Sequence, residues 1–254
     1  MDSNDLIKVE RAEGICWIIL NRPGSSNAFN TPMLEQLADA LDGAIADDAV
    51  RAIILAGEGP NFQSGMDISS LAAVSSGEMD NAQIAETIYA LPHRISKALR
   101  GCPKPTIAAM QGAVVTMGCE FSLLCDFRIV TPETYFEEKW VRMGVIPALG
   151  GLKLLPLLVG QAHAKRMILL GERVYGTEAQ AIGLSTRCVA SADLRAVAKQ
   201  FAEELGALSA SAFRKAKALM IAGESEPFED ILVNGANAQA ELLTSEEFRS
   251  RLRR

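Results

Sequence analysis

The segment from Lys104 to Asp126 constrains the fold more than any other part of the chain, because it joins a strand to a short apolar helix. It reads KPTIAAMQGAVVTMGCEFSLLCD. The apolar run over residues 106–110 predicts a buried strand, a glycine predicts the turn, and the next apolar run predicts a helix that begins near Met117. Glu120 lies inside that helix. It therefore either faces solvent or sits in a pocket where desolvation raises its pKa toward a value suited to proton transfer.

The rest of the N-terminal part alternates between strands and helices. β-Branched runs at 6–11 and 15–20 flank a Glu-Gly pair and predict a hairpin. Asn30-Thr31-Pro32 has the form of a helix start, and a further strand is predicted over 51–56. A long helix is predicted from about residue 82 to 100, with an apolar stripe. This rhythm is typical of an α/β domain with a parallel sheet.

Composition narrows the classes of partner. With 254 residues, of which 49% are hydrophobic, the chain can bury one large core. A net charge of -6 argues against nucleic acid or an anionic membrane as the main partner, so a small molecule is expected. The polar, acidic start and the lack of a spanning apolar run favour a cytoplasmic protein. Five cysteines without C-x-x-C spacing and two distant histidines predict reduced thiols and no metal site.

Several short motifs occur in a fixed order along nearly the whole chain. They are NRPGSSNAFN at 21–30, GEGPNFQSGMDISSL at 57–71, KPTIAAMQG at 104–112, GCEFSLLCD at 118–126 and GVIPALGG at 144–151. In this order and spacing they resemble the crotonase superfamily, the enoyl-CoA hydratase/isomerase family. The combination is specific for the family and much less specific for the reaction catalysed.

The resemblance implies an architecture and a substrate class. The fold would be α/β, a crotonase-like spiral of strand-strand-helix repeats over residues 1–190. Residues 191–254 would form a helical C-terminal region of the same domain, used for oligomerisation into a homotrimer or a dimer of trimers. The substrate would be an acyl-CoA, with CoA as part of the substrate and no separate cofactor.

The resemblance also implies roles for individual residues. The backbone N–H groups of Met66 and Met117 would stabilise a thioester enolate, and Glu120 would transfer a proton. Around these groups, Ser64, Gly65 and Gly118 would form the substrate-binding loops. The helix that begins near Met117 would add its N-terminal dipole to the stabilisation of the oxyanion.

The chain departs from its relatives at two places. Relatives commonly have three glycines where this chain has Thr116, Met117 and Gly118, which would crowd the floor of the pocket. Hydratases of the family carry a second catalytic glutamate four residues before the glycine of GVIP, and here that position is Trp140. Trp140 would be a flat wall for a cyclic or aromatic acyl group.

Glu138 is the candidate replacement for the missing glutamate. On an extended backbone its side chain would face the same way as Trp140, and it would otherwise be a surface charge. The reaction therefore stays open between hydration, isomerisation, decarboxylation and C–C hydrolysis of a bulky or cyclic acyl-CoA. A non-catalytic CoA-binding subunit is the remaining alternative.

Three weaker expectations concern the surroundings of this site. Asp67 is predicted to cap a short helix, and residues 72–81 to form a loop beside the acyl pocket. The basic side chains Lys97, Arg100 and Lys104 could contact CoA phosphates, although a solvated face is the simpler interpretation of each.

Overall fold

The computed structural model describes residues 5–67 and 80–253, and its strands form two sheets. In chain order the strands are β1 (Ile7–Ala12), β2 (Ile15–Leu20), β3 (Ala52–Gly57), β4 (Thr106–Met110), β5 (Ala113–Val115), β6 (Phe127–Val130), β7 (Tyr135–Glu137), β8 (Val174–Tyr175) and β9 (Arg187–Cys188). The larger sheet has the order β1-β2-β3-β4-β6-β9, and the smaller has the order β5-β7-β8.

The pairing of these strands follows the predicted rhythm. β1 and β2 form an antiparallel hairpin, and β2, β3, β4, β6 and β9 run parallel. In the smaller sheet β5 is parallel to β7, and β7 is antiparallel to β8. The predicted hairpin, the strand over 106–110 and the parallel sheet are all confirmed.

Helices connect the strands and form the C-terminal part of the chain. Within the described residues they are α1 (Thr31–Ala46), α2 (Asn81–Arg100), α3 (Met117–Leu124), α4 (Gly151–Leu170), α5 (Gly176–Ala181), α6 (Leu194–Gly206), α7 (Ala210–Ala222), α8 (Phe228–Leu243) and α9 (Glu246–Arg251). Asn30 caps α1 by accepting a hydrogen bond from the Met33 N–H, as predicted. The N-terminus of α2 carries a capping box made by Asp80 and Gln83.

The inner strands of the larger sheet are buried on both faces, and β2 shows why. Ile18 and Leu20 point into a core that α1 and α3 help to enclose, whereas Trp17 and Ile19 point into a second core that includes α6. A strand with helices on both faces reads as a continuous apolar run instead of an alternating one. The sequence ICWIIL of β2 has that character.

The C-terminal region is helical, as predicted, and one ion pair ties it to the sheet. Lys217 of α7 donates to Asp126 at 2.9 Å, and both side chains are largely buried. Asp126 also accepts from the backbone N–H and the hydroxyl of Thr106 in β4. The structural role predicted for Asp126 is therefore confirmed.

Two of the three basic residues named above have structural partners. Lys104 donates to the carbonyl oxygens of Ala44 and Asp47 at the end of α1, and Arg100 pairs with Glu224. Lys104 is thus a helix C-terminal contact and not a fully solvated side chain, whereas its contact with a CoA phosphate stays a prediction. The helix expected after Asp67 and most of the 72–81 loop lie outside the described residues. No helix in the described ranges is long and apolar enough to cross a bilayer.

Candidate active site

A pocket of about 450 Å³ opens between the loop that follows β3 and the turn between β5 and α3. Its walls are residues 64–67, residues 115–116 and a third segment that contains Trp140, with Ser25 and Ala28 at its edge. Four predicted site residues line it, namely Ser64, Gly65, Met66 and Trp140. The other four, Met117, Gly118, Glu120 and Glu138, are buried behind this lining.

The backbone of Met66 is turned toward the pocket by its pairing with Phe29. The Phe29 N–H donates to the Gly65 carbonyl oxygen at 2.9 Å, and the Asp67 N–H donates to the Phe29 carbonyl oxygen at 2.8 Å. In such a parallel bridge the central residue points its own N–H away from the partner strand. The Met66 N–H makes no hydrogen bond within the described part of the chain and borders the pocket.

The Met117 N–H is the first of α3 and has no partner inside the helix. The residue before it, Thr116, has φ 49° and ψ −108°, a conformation rare for a β-branched side chain. Its own N–H donates to the Glu137 carbonyl oxygen at 2.9 Å, which fixes the turn against β7. Thr116 therefore has a positive φ of the kind that glycine adopts more readily.

The two loops that carry these N–H groups touch each other. Gly65 has φ 105°, and a Cβ built on it would lie 2.5 Å from the Thr116 hydroxyl oxygen. Only glycine fits this approach, because both the space and the positive φ exclude a side chain. The contact brings the Met66 loop and the start of α3 to one side of the pocket.

Glu120 lies on the first turn of α3 and is fully buried. One carboxylate oxygen, Oε1, accepts hydrogen bonds from the backbone N–H groups of Leu149 at 2.9 Å and Gly151 at 2.8 Å. These donors stand at the N-terminus of α4, where unpaired N–H groups favour an anion. The second oxygen, Oε2, has no hydrogen-bond partner among the residues the structure describes.

Two opposing effects set the acidity of Glu120. Burial raises its pKa, while the N–H groups of Gly151, Leu149 and Ala148 and the nearby His93 lower it, and the net shift is upward. His93 reaches this loop from α2, since its Nε2 lies 3.1 Å from the Ala148 carbonyl oxygen. Glu120 is therefore buried, as its interpretation as a proton-transfer group in a desolvated pocket requires. Its interpretation as a solvent-facing residue was wrong.

Glu138 is fully buried, so its interpretation as a surface charge was wrong. The reason is that β7 is short and covered on both sides, which buries Glu137 as well as Glu138. Glu137 is neutralised by Arg173 at 2.9 Å, but both oxygens of Glu138 lack a hydrogen-bond partner in good geometry within the described residues. Burial, followed by the charge of Glu120, raises the pKa of Glu138 to about 8, against smaller opposing effects of Cys119 and Trp140.

Trp140 is half-buried and lines the pocket, whereas Glu138 does not. Its indole N–H also lacks a hydrogen-bond partner among the described residues, and it is close enough to Glu138 to lower the pKa of that carboxyl. Buried indole N–H groups usually have a partner. The unpartnered polar atoms of Glu120, Glu138 and Trp140 therefore cluster beside the pocket.

The nearby thiols behave as core residues. Burial raises the pKa of Cys125 to about 12 and that of Cys119 well above its ordinary value, so both stay protonated at neutral pH. No group of three or more histidine, cysteine or acidic side chains within residues 5–67 and 80–253 is placed to hold a metal ion.

Sequence reasoning missed two buried amides that shape the pocket loops. The side chain of Asn27 donates to the carbonyl oxygens of Glu58, Asn61 and Phe62, which holds the loop after β3 in place. Gln63 is fully buried and bonds to both backbone polar groups of Gly65. A long amide two residues before a loop glycine is the signal that could have indicated Gln63.

Comparison with known proteins shows which family the chain is similar to. A sequence model of the enoyl-CoA hydratase/isomerase family matches residues 10–252. The crotonyl-CoA hydratase of Syntrophomonas wolfei is 32% identical over 213 residues, which cover 84% of this chain and 80% of that protein. The peroxisomal Delta(3,5)-Delta(2,4)-dienoyl-CoA isomerase of Arabidopsis thaliana is 28% identical over 250 residues, covering 96% and 90% respectively.

A solved structure extends the likeness to the fold. The crystal structure of a candidate enoyl-CoA hydratase from Streptomyces coelicolor A3(2) superposes with a TM-score of 0.90 at 32% identity, covering 98% of this chain and 90% of that one. The predicted crotonase-like fold is thereby confirmed. The family model matches nearly the whole chain and the relatives match most of it, so the protein belongs to the enoyl-CoA hydratase/isomerase family.

Proposed function

We propose that the protein is an acyl-CoA enzyme that forms a thioester enolate and moves a proton on it. The N–H groups of Met66 and Met117 hold the thioester oxygen, and Glu120 is the acid/base group. The observation that carries the proposal is the contact of two loops beside the buried carboxylate of Glu120. Among the residues that the structure describes, each loop has an N–H without a partner and the carboxylate has one oxygen without a partner. Donors aimed at a developing oxyanion contribute roughly 3–4 kcal/mol each in comparable sites.

The state of Glu120 fits this role. Its Oε1 is held by two backbone donors, which fix the carboxyl group and leave Oε2 as the oxygen that exchanges a proton. A pKa raised by burial brings a carboxylate closer to the pH at which general acid/base catalysis is efficient. A single carboxylate can remove a proton at one carbon and return it at another, which favours double-bond isomerisation over addition of water.

Hydration is the second candidate, and the burial of Glu138 favours it. Glu120 has backbone donors that stabilise its anion, whereas Glu138 has none within the described residues, so their environments separate their pKa values. Such a separation is the arrangement in which one carboxyl acts as a base and the other as an acid. Glu138 would then supply the second proton that hydration needs, in place of the residue replaced by Trp140.

Proton exchange tests enolate formation whichever reaction follows. The enzyme should incorporate deuterium at the α-carbon of saturated acyl-CoA thioesters in D₂O, measured by mass spectrometry. In parallel, matched 2-enoyl- and 3-enoyl-CoA substrates with linear and cyclic acyl groups should be interconverted faster than the 2-enoyl compounds are hydrated. Faster hydration would select the second candidate.

A protein that binds acyl-CoA in calorimetry, yet exchanges no α-proton and converts no thioester of the panel, would be a non-catalytic CoA-binding subunit. A protein that binds no CoA thioester at all would lack the proposed function.

The position of Glu120 can be tested without changing Glu120 itself. A Cβ on Gly151 would lie 2.9 Å from Oε1 and 3.1 Å from Cγ of Glu120, so Gly151→Ala must push the carboxyl group aside. Because small displacements of a catalytic group cost up to about 100-fold in rate, we expect kcat to fall by about 10- to 100-fold. Steady-state kinetics on the best substrate of the panel would measure this.

Gly235→Ala is the matched control. A Cβ at Gly235 of α8 would meet nothing within 4 Å, so that variant should keep wild-type kcat and gain slightly in helix stability. Equal rates for Gly151→Ala and wild type would remove Glu120 from the proton-transfer step.

A further inference from the structure

Gln63 is a buried side chain that connects the two loops of the proposed oxyanion site. Its backbone pairs with β5, since its N–H donates to the Ala113 carbonyl oxygen at 2.9 Å and its carbonyl oxygen accepts from Val115 at 3.0 Å. These bonds fix Gln63 beside the strand that leads into Thr116 and α3. Gln63 thus links the backbone segments that form two walls of the pocket, although it does not line the pocket itself.

The carboxamide closes a small ring around Ser64. Its Nε2 donates to the Gly65 carbonyl oxygen at 2.6 Å, and its Oε1 accepts from the Gly65 N–H at 2.8 Å. Both polar atoms of the side chain are therefore used on one residue. Because Gly65 has φ 105°, it has little intrinsic preference for this conformation and needs an external restraint.

The same carboxamide lies against the first turn of α3. A Cβ on Gly118 would lie 2.3 Å from Oε1 of Gln63 and 2.8 Å from its Cβ. Any residue larger than glycine at 118 would therefore push the amide off Gly65. The close approach sets the distance between the Met66 loop and the helix that begins at Met117.

We infer that Gln63 is a positioning residue that fixes the Gly65–Met66 peptide so that the Met66 N–H points into the pocket. This inference rests on the proposed function for its catalytic consequence, but its structural part is independent of any substrate. Gln63 is not expected to touch the acyl group, because it is fully buried and does not line the pocket. Its loss should therefore affect the transition state more than substrate binding.

Gln63→Met keeps the length of the side chain and removes both hydrogen bonds. We expect kcat to fall by about 10- to 100-fold with KM changed by no more than about twofold, as for a misdirected oxyanion donor. Hydrogen exchange followed by mass spectrometry should show faster deuterium uptake in a peptide covering residues 60–67, because the Gly65 N–H loses its acceptor. Thr134→Val is the matched control, since it removes the buried hydrogen bonds that the Thr134 hydroxyl makes to the Met110 carbonyl oxygen and to Thr131, outside the pocket lining.

Gln63→Glu gives a second test that does not depend on how well the methionine variant folds. A protonated glutamate can donate to the Gly65 carbonyl oxygen and accept from its N–H as glutamine does, whereas an ionised one cannot donate. Because burial raises the pKa of a carboxyl group, the introduced carboxyl should keep its proton at pH 5.5 and lose it toward pH 9. The kcat of this variant relative to wild type should therefore be near one at pH 5.5 and fall steadily toward pH 9. A ratio independent of pH would contradict this clamp, the pair of hydrogen bonds by which the Gln63 side chain holds the backbone of Gly65.

Failure of the inference and failure of the proposed function are distinguishable. If wild-type protein converts no thioester, the proposed function is lost, and the exchange rate of residues 60–67 alone decides the clamp. If wild type is active and Gln63→Met matches it in kcat and in exchange, the clamp is wrong while the function stands. A loss of activity equal to that of Thr134→Val, with unchanged exchange, would also overturn it.

Discussion

Replacing Glu120 by glutamine should lower turnover of the thioester substrate by about 10²–10⁴-fold, the usual contribution of a general acid or base. The glutamine carbonyl oxygen can still accept from the N–H groups of Leu149 and Gly151, so the contact with α4 survives. The amide cannot exchange the proton that Oε2 is free to take. The loss should therefore appear in kcat, with the dissociation constant of acyl-CoA nearly unchanged.

The measurement needs kinetics and calorimetry on the same sample. Glu229→Gln, the same chemical change at an exposed position of α8, is the control and should behave as wild type. Wild-type turnover in the Glu120→Gln variant would mean that Glu120 only anchors the N-terminus of α4. The search for the acid/base group would then move to Glu138.

The second large effect concerns the pH dependence of stability. Glu138 keeps its proton in the folded protein up to a pKa of about 8, whereas its ordinary value is 4.5. The unfolded chain therefore releases this proton at a lower pH than the folded chain does. The favourable contribution is complete below pH 4.5 and is lost as the pH rises through 8, so the free energy of unfolding should decrease across that window.

At about 1.4 kcal/mol for each pKa unit, the decrease from this one group is at most about 5 kcal/mol. Glu138→Gln has no proton to release and should flatten the curve, which makes the variant relatively more stable than wild type at pH 8–9. Urea unfolding at a series of pH values from 4 to 9 would measure the difference in slope. Parallel curves for wild type and variant, with the Glu229→Gln control also parallel, would mean that Glu138 ionises as an ordinary carboxyl.

Much of the fold could be predicted from local pattern. The β-branched runs of β1, β2 and β3 and the Asn30 cap have short-range causes, so they could be placed to within a residue or two. The strand β4 and the start of α3 were likewise placed correctly from apolar runs separated by a glycine. The order of the short motifs then indicated the family, which hydrophobic periodicity alone could not have indicated.

The site was predicted less completely, because its geometry depends on contacts between distant segments. Nothing near Glu138 in the sequence shows that Glu137 and Glu138 are both buried while the neighbouring Lys139 stays partly exposed. Gln63 bonds to Gly65 and packs against Gly118 only because two loops meet. The backbone N–H groups that donate to Glu120 come from a loop about thirty residues later in the chain. Alternation and helical periodicity describe one element at a time, so they cannot report such encounters.

The backbone conformation of Thr116 affects both the stability of the protein and the shape of the pocket. A β-branched residue held at φ 49° carries strain of roughly 1–3 kcal/mol, a sizeable share of the 5–15 kcal/mol that separates most folded domains from their unfolded chains. This strain lowers the free energy of unfolding, and it is located at a residue that lines the pocket. Substitutions that relax this residue should raise the free energy of unfolding and at the same time change the lining of the pocket, so stability and pocket shape are coupled at a single position.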